Sequence, residues 1–425
     1  MKAKIWLWTG LAILLAGLVA GAVWWKMRPQ IVFLSDGTKL KLVAVTYGKH
    51  HNFPGNRVPV RANRRSGSLD STNDTLFVWI EQQHKGNQWP NYQLLAYDQS
   101  DTACAGNSMM NSRQIRPGDE MVGLRLDAFP RRTGKFYLRI QEWNPQNGRQ
   151  TVKNGFVVSN PARGPFPAWY PDSLPDTQSD GDLDVTLNKL VVGVKTPWQR
   201  NDTAPDDAMN KGVQVAFDVR QNGQTVTNWQ PVRIETFDAT GNHIIGSINT
   251  SYQDGEPMTF YQWGLWPDEP AWKLRVEMSR TSGFNDDELW TVQDVPVESG
   301  KMQNFWNNNP RGRNQPGVAE TTLNGVHLKI FPVKQFTDQS PNSQPQGAVQ
   351  IQADSVPEGM RMTLFKATDD QGHELGNWTW GWSSNNKSYT YSFAFPQLGN
   401  SKAINFTIAL HKSRFVEFTV KPTKP

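Results

Sequence analysis

Four clusters in the chain bring together residue types that could coordinate, stack or carry charge. His50 and His51, in Y-G-K-H-H-N, are adjacent, and imidazole suits zinc or copper. Neighbouring residues on a strand point to opposite faces, which makes joint ligation awkward, so a polar loop after the first long strand is the plainer reading. Asp180, Asp182 and Asp184, in S-D-G-D-L-D, would converge on Ca²⁺ if their loop curled. That run lacks the glycine after the third acid and the distal glutamate of an EF-hand, and a solvated linker competes with it. Trp378, Trp380 and Trp382, in N-W-T-W-G-W, alternate and would share one face of a strand. Exposed, the row would stack on sugars or a partner protein; buried, it is core or packing between domains. Arg57, Arg61, Arg64 and Arg65 would touch anionic headgroups, or else solvate a hairpin loop.

Catalytic signatures are missing: there is no G-x-S-x-G, H-E-x-x-H, C-x-x-C, Walker loop or G-x-G-x-x-G. No motif asks for a cofactor. The remaining histidines, His84, His243, His327, His373 and His411, stand singly and read as surface or hydrogen-bonding residues. The expectation is a non-enzymatic chain, with catalysis kept as the rival because distant strands can assemble a site.

Stepping from residues to elements, short alternating runs recur at 39–47, 76–82, 213–219 and 406–410 and read as strands with one buried face. Clusters such as P-Q-N-G-R (145–149), R-Q-N-G-Q (220–224) and D-A-T-G-N (238–242) supply turns. One cysteine, Cys104, allows no internal disulfide, so the fold rests on its cores.

Two proline- and asparagine-rich stretches, 160–180 and 307–317, read as linkers. The chain then divides into an anchor (1–30), a first block (31–160), a linker (161–180), a second block (181–300), a linker (301–317) and a third block (318–425). Each block ends in the same order of elements. The spacing from an aromatic to the aromatic before proline is 32 from Tyr97 to Phe129, 29 from Phe237 to Trp266 and 30 from Phe365 to Phe395. The expected fold is all-β: an N-terminal transmembrane helix followed by three tandem Ig-like β-sandwich domains.

The helix is expected from the uncharged run I-W-L-W-T-G-L-A-I-L-L-A-G-L-V-A-G-A-V-W-W (5–25), which would reach roughly 31 Å against a hydrocarbon core of about 30 Å. Lys2, Lys4, Lys26 and Arg28 flank it, and Trp6, Trp8, Trp24 and Trp25 sit near its ends. The competing reading is a signal peptide cleaved after Ala22. Those four flanking charges carry most of the formal +5, which removes the case for nucleic acid. The signal-like order of the N-terminus places the bulk of the chain outside the cytoplasm, periplasmic or at the surface.

The segment L-S-D-G-T-K-L-K-L-V-A-V-T-Y-G-K-H-H (34–51), with R-L-D-A-F-P-R-R-T-G-K (125–135), resembles uncharacterised N-terminally membrane-anchored proteins of Verrucomicrobia-like bacteria. The resemblance implies an anchored bacterial exoprotein and carries no site residues. The expectation is a single-pass membrane protein that serves as a binding or structural module for an envelope protein or glycan. An envelope enzyme with its site between blocks is the alternative.

Overall fold

Alternation becomes sandwich-forming strand wherever two faces of sheet can bury it. The computed structural model describes residues 29–54, 69–83, 92–98, 103–104, 110–116, 118–143, 150–162, 164–195, 211–247, 258–260, 265–302, 305, 317–337, 346–385 and 388–424. In the first lobe these are β1 (Ile31–Phe33), β2 (Lys39–His50), β3 (Asp70–Gln83), β4 (Tyr92–Tyr97), β5 (Ala103–Cys104), β6 (Met110–Arg116), β7 (Asp119–Leu126), β8 (Lys135–Trp143) and β9 (Gln150–Ser159). They form two sheets, β1-β2-β3-β7-β6 and β5-β4-β8-β9. Leu76, Val78 and Ile80 of β3 meet Leu94, Phe136, Leu138 and Phe156 of the other sheet in one apolar cluster. Phe77 and Trp79, of opposite parity, instead join Met121 in a smaller cluster on the far face.

The pattern of a five- and a four-stranded sheet returns in the second stretch, whereas the third, together with the last strand of the second, makes one sheet of nine strands. The second stretch holds β10 (Asp176–Asp180), β11 (Leu183–Lys195), β12 (Lys211–Gln221), β13 (Gln224–Thr225), β14 (Trp229–Asp238), β15 (His243–Ser247), β16 (Met258–Phe260), β17 (Trp272–Arg280) and β18 (Leu289–Gly300). The third holds β19 (Ala319–Leu323), β20 (Val326–Ile330), β21 (Val333–Phe336), β22 (Gly347–Asp354), β23 (Met360–Asp369), β24 (Trp378–Asn385), β25 (Ser388–Phe395), β26 (Ala403–Lys412) and β27 (Arg414–Val420). The aromatic before proline is a buried plug in all three: Phe129 and Phe395 are fully buried and Trp266 nearly so. Each sits just ahead of a strand (β8, β17, β26) that is paired on both sides.

The last strand of the second and third copies departs from sequence order. Where the first lobe ends with β9 paired to its own β8, β17 pairs with β27, and β26 pairs with β18. Two strands have changed places between lobes. The link from β26 to β27 is the single residue Ser413, too short for a hairpin loop, so the chain runs on into the neighbouring sheet. In the other direction, residues 281–288 carry the chain from β17 to β18 through a 3-10 turn whose capping box pairs Asn285 with Glu288. Together β17–β18 and β26–β27 make one antiparallel ribbon through both lobes, in register from Trp272↔Val420 to Met278↔Arg414 and again from Leu289↔Ala409 to Pro296↔Ala403.

This corrects the boundaries 181–300 and 318–425. Val416, Phe418 and Val420 lie in the core of the second lobe, and Val292 and Val295 lie in that of the third. Burying each such side chain is worth about 1.5–3 kcal/mol, so neither lobe is complete without the other's strand. Beyond β27, Thr423 exchanges backbone hydrogen bonds with Leu190 and Val192 of β11, tying the tail across to the second lobe's larger sheet. The linker 161–180 is also shorter than expected, because residues 176–180 already form β10 along β11.

One member of the repeat moves. Asp238 is in register with Trp272 and Asp369 with Ile404, the second residues of A-W-K and A-I-N. Both aspartates cap the same turn, Asp238 Oδ1 accepting from Thr240 and Asn242 N–H and Asp369 Oδ1 from Gln371 and His373 N–H. Phe365 is therefore no counterpart of Phe237; it lies in a register shift of β23 and packs edge-on against Phe284. The expected transmembrane run, residues 5–25, lies outside the described residues, and among those described no helix is long and apolar enough to cross a membrane.

Interlocked strands make a specific outcome: a protease site engineered into 306–316 and cut in native buffer will leave both fragments co-eluting on gel filtration. They will separate only in denaturant, whereas independent tandem domains would come apart at once.

Candidate functional site: a cleft between the first and second lobes

The connection between the first two lobes is built from the stretch A-F-P-R-R (128–132) and the turn D-A-T-G-N (238–242). Arg131, 5% exposed, donates from Nη1 to the Tyr47 hydroxyl (3.0 Å) and the Thr240 carbonyl (3.1 Å), and from Nη2 to the Asp74 carbonyl (3.0 Å). Its guanidinium lies 4.9 Å from the centre of the Phe129 ring. Asn242, 1% exposed, brackets the Phe129 peptide, accepting from its N–H at 3.1 Å and donating to its carbonyl at 3.0 Å. Gly241 is needed between them: its φ is +92°, and a Cβ there would stand 3.0 Å from Arg131 Nη1. Arg132 adds a two-pronged contact from Nε to both oxygens of Glu269 and donates to the Pro167 carbonyl at 2.9 Å.

Beside this latch opens a cleft of about 660 Å³, continuous through Asn73, Gly241 and His243 with a smaller recess of about 170 Å³. The larger volume is within the ordinary range for ligand sites. The first lobe contributes Asn73, the connecting segment Trp169, and the second lobe Phe237, His243, Lys273, Arg275 and Glu417. His243 stacks flat on Phe237, ring centres 4.2 Å apart. Its Nδ1 is 3.4 Å from Asn73 Nδ2, and its Nε2 is 3.3 Å from Glu235 Oε2, an ionic contact without hydrogen-bond geometry. Burial pushes this imidazole's pKa below its usual value, with the Glu235 carboxylate opposing. Lys273 Nζ is 5.8 Å from the Trp169 ring centre and 3.7 Å from Glu417; Arg275 lies over Phe415 and reaches Glu358 at 3.2 Å. An indole face thus stands beside paired charges that present donors and acceptors together.

The residues singled out in the sequence lie elsewhere. His51 follows the end of β2, as a loop residue would, but it is buried: it is 3% exposed, bonded through Nδ1 to Thr46 Oγ1 at 2.8 Å and through Nε2 to the Gly48 carbonyl at 2.9 Å, and packed on Phe77. His50, by contrast, is exposed and pairs with Asp70. The three aspartates are drawn apart by a tight hairpin. Asp182 accepts from Arg414 and Gln221, Asp184 from Ser179, and Asp180 from the Phe415 N–H. Among the described residues no group of three or more His, Cys, Asp or Glu is placed to hold a metal. Trp378, Trp380 and Trp382 open β24, an edge strand paired with β25. The backbone register shifts between Thr379 and Gly381, pairing Trp378 with Ala394 and Trp382 with Tyr391; the tryptophan side chains lie outside the described residues. Arg57, Arg61, Arg64 and Arg65 also lie outside them.

His243, Trp169 and Lys273 were not among the sequence candidates. A local signal existed for the turn alone, D-A-T-G-N, whose role in joining lobes depends on a partner 113 residues away. No family model, curated protein or solved structure matches the chain.

Two outcomes follow. Asn242→Ala leaves the Phe129 peptide without its buried partners and will cost about 1–3 kcal/mol in chemical denaturation, with the first lobe melting separately from the rest. His51, His243 and His411 are each held below the usual imidazole pKa by burial first of all. The unfolded chain therefore takes up more protons as pH falls through about 6.5. The melting temperature will be nearly level above about pH 7 and fall as pH drops from about 7 toward 5, and His411→Gln will flatten the slope.

Proposed function

We propose that this chain is a single-pass membrane protein whose extracytoplasmic part, three Ig-like sandwiches, binds an envelope glycan in the cleft between its first two lobes. The anchor is the uncharged run 5–25, which remains the reading of the sequence. The observation that carries the glycan reading is the composition of the cleft: Trp169 beside Lys273, with Glu417, Arg275 and Asn73 close by. Sugars offer an apolar ring face and hydroxyls that both donate and accept, so an indole platform flanked by paired charges suits them. A ligand without hydroxyls would leave those paired groups desolvated.

The rival reading, an envelope enzyme with its site between blocks, would rest on His243 in the same cleft, with the buried Glu235 behind it. Nδ1 of His243 is met by Asn73, while Nε2 lies 3.3 Å from Glu235 without hydrogen-bond geometry, so this reading would use Nε2 with the carboxylate beside it.

Affinity of the detergent-solubilised full chain for glycans on an array, and for cell-wall fragments, tests the proposal. Trp169→Ala will weaken binding about tenfold or more, the scale of a buried aromatic hot spot, while Trp380→Ala will leave it unchanged. The opposite pattern would move the ligand to the edge strand β24, and release of shortened glycan would return the enzyme reading.

A further inference from the structure

The first lobe carries an apolar edge close to where the proposed anchor ends. Ile31 and Phe33 of β1 are 39% and 61% exposed, and Val157 of β9 and Tyr137 of β8 are 44% and 46% exposed. These residues belong to one corner. β1 and β9 are the neighbouring edges of the two sheets, and Val157 is in register with Tyr137. Basic side chains share it: Lys41 and Lys39 are the cross-strand partners of Ile31 and Phe33, and exposed Lys135 lies on β8. Lys41 is paired with Glu81 at 2.9 Å, and Asp36, in the turn after β1, accepts from the Thr38 N–H.

Distance decides what can cover this corner. Only Lys26, Met27, Arg28, Pro29 and Gln30 separate the apolar run from β1, and fully extended they span at most roughly 17 Å. The headgroup layer takes up roughly 5–8 Å of that. Gln30 cannot swing as a tether, because its side chain donates to the Val157 carbonyl (2.9 Å) and accepts from the Val157 N–H (2.7 Å), while its own carbonyl accepts from Leu42 N–H. The chain thus enters the first lobe at the apolar corner itself, already clamped to both sheets.

We infer that the β1–β9 corner of the first lobe rests on the anionic bilayer surface that anchors the chain, with Ile31, Phe33, Val157 and Tyr137 at the headgroup boundary and Lys39 and Lys135 against lipid phosphates. The apolar side chains gain burial there, and the basic residues are drawn to the anionic surface. The lobe is thereby held in one orientation. The inference rests on the membrane-anchor reading.

The test uses the full chain reconstituted into vesicles of phosphatidylcholine with phosphatidylglycerol. Spin labels are placed singly at Phe33→Cys, Val157→Cys and, in the third lobe, Val318→Cys, all in a Cys104→Ser background. Collision of each label with lipid-soluble oxygen and with a water-soluble nickel chelate is then measured. Labels at 33 and 157 should shift toward oxygen and the label at 318 toward nickel, and Lys39→Glu or high salt should move the label at 33 back toward water. If the chain floats with the vesicles and the labels at 33 and 157 match the one at 318, the inference is overturned and the anchor stands. A chain that does not float overturns both.

Discussion

The antiparallel ribbon made by β17–β18 and β26–β27 is the constraint on which the second and third lobes depend. Each lobe takes its closing strand from the other, so the apolar surface of one is covered by chain that must leave it again through Ser413 or residues 281–288. The crossing is fastened by charge. Glu277, 2% exposed, is held by Arg361 and by the Ser413 hydroxyl. Burial alone would push its carboxyl pKa up, yet these partners hold it below the usual glutamate value. Removing either partner would strand a buried charge. Unfolding of one lobe therefore exposes core of the other, and the pair behaves as one cooperative unit.

The first lobe is joined by other means. It keeps its own last strand, and its tie to the second lobe combines one continuous apolar cluster with the Arg132–Glu269 pair and buried polar contacts of Arg131 with the Thr240 carbonyl and of Asn242 with the Phe129 peptide. The polar contacts are directional, so they constrain the angle between the lobes as well as the distance. His243, Asn73 and the Trp169-bearing segment line the adjoining cleft because the latch brings residues from the first lobe, the connecting segment and the second lobe to one place.

How much of this was legible in the residues depends on the range of each interaction. Paired strands at the start of each block and the buried aromatic before proline are local patterns, and both hold. Phe365 misled because an aromatic at nearly the right spacing imitated a repeat whose true constant is the turn aspartate, Asp238 or Asp369. The strand exchange left one trace: K-S-R (412–414) offers no Asn-Gly, Asp-Gly or Gly-Gly pair of the kind a tight hairpin uses.

The sequence by itself determined the β character of the body, its threefold order of elements and the uncharged run at the N-terminus, because alternation, turn chemistry and hydropathy are properties of neighbouring residues. The tertiary structure decided which strand closes which lobe, and that a turn read only as a hairpin device joins two lobes and borders a cleft. Pairing partners more than a hundred residues apart are chosen by competition among similar apolar edges. The residues of a strand state that it will pair, while its connections and the packing of the whole chain decide with what.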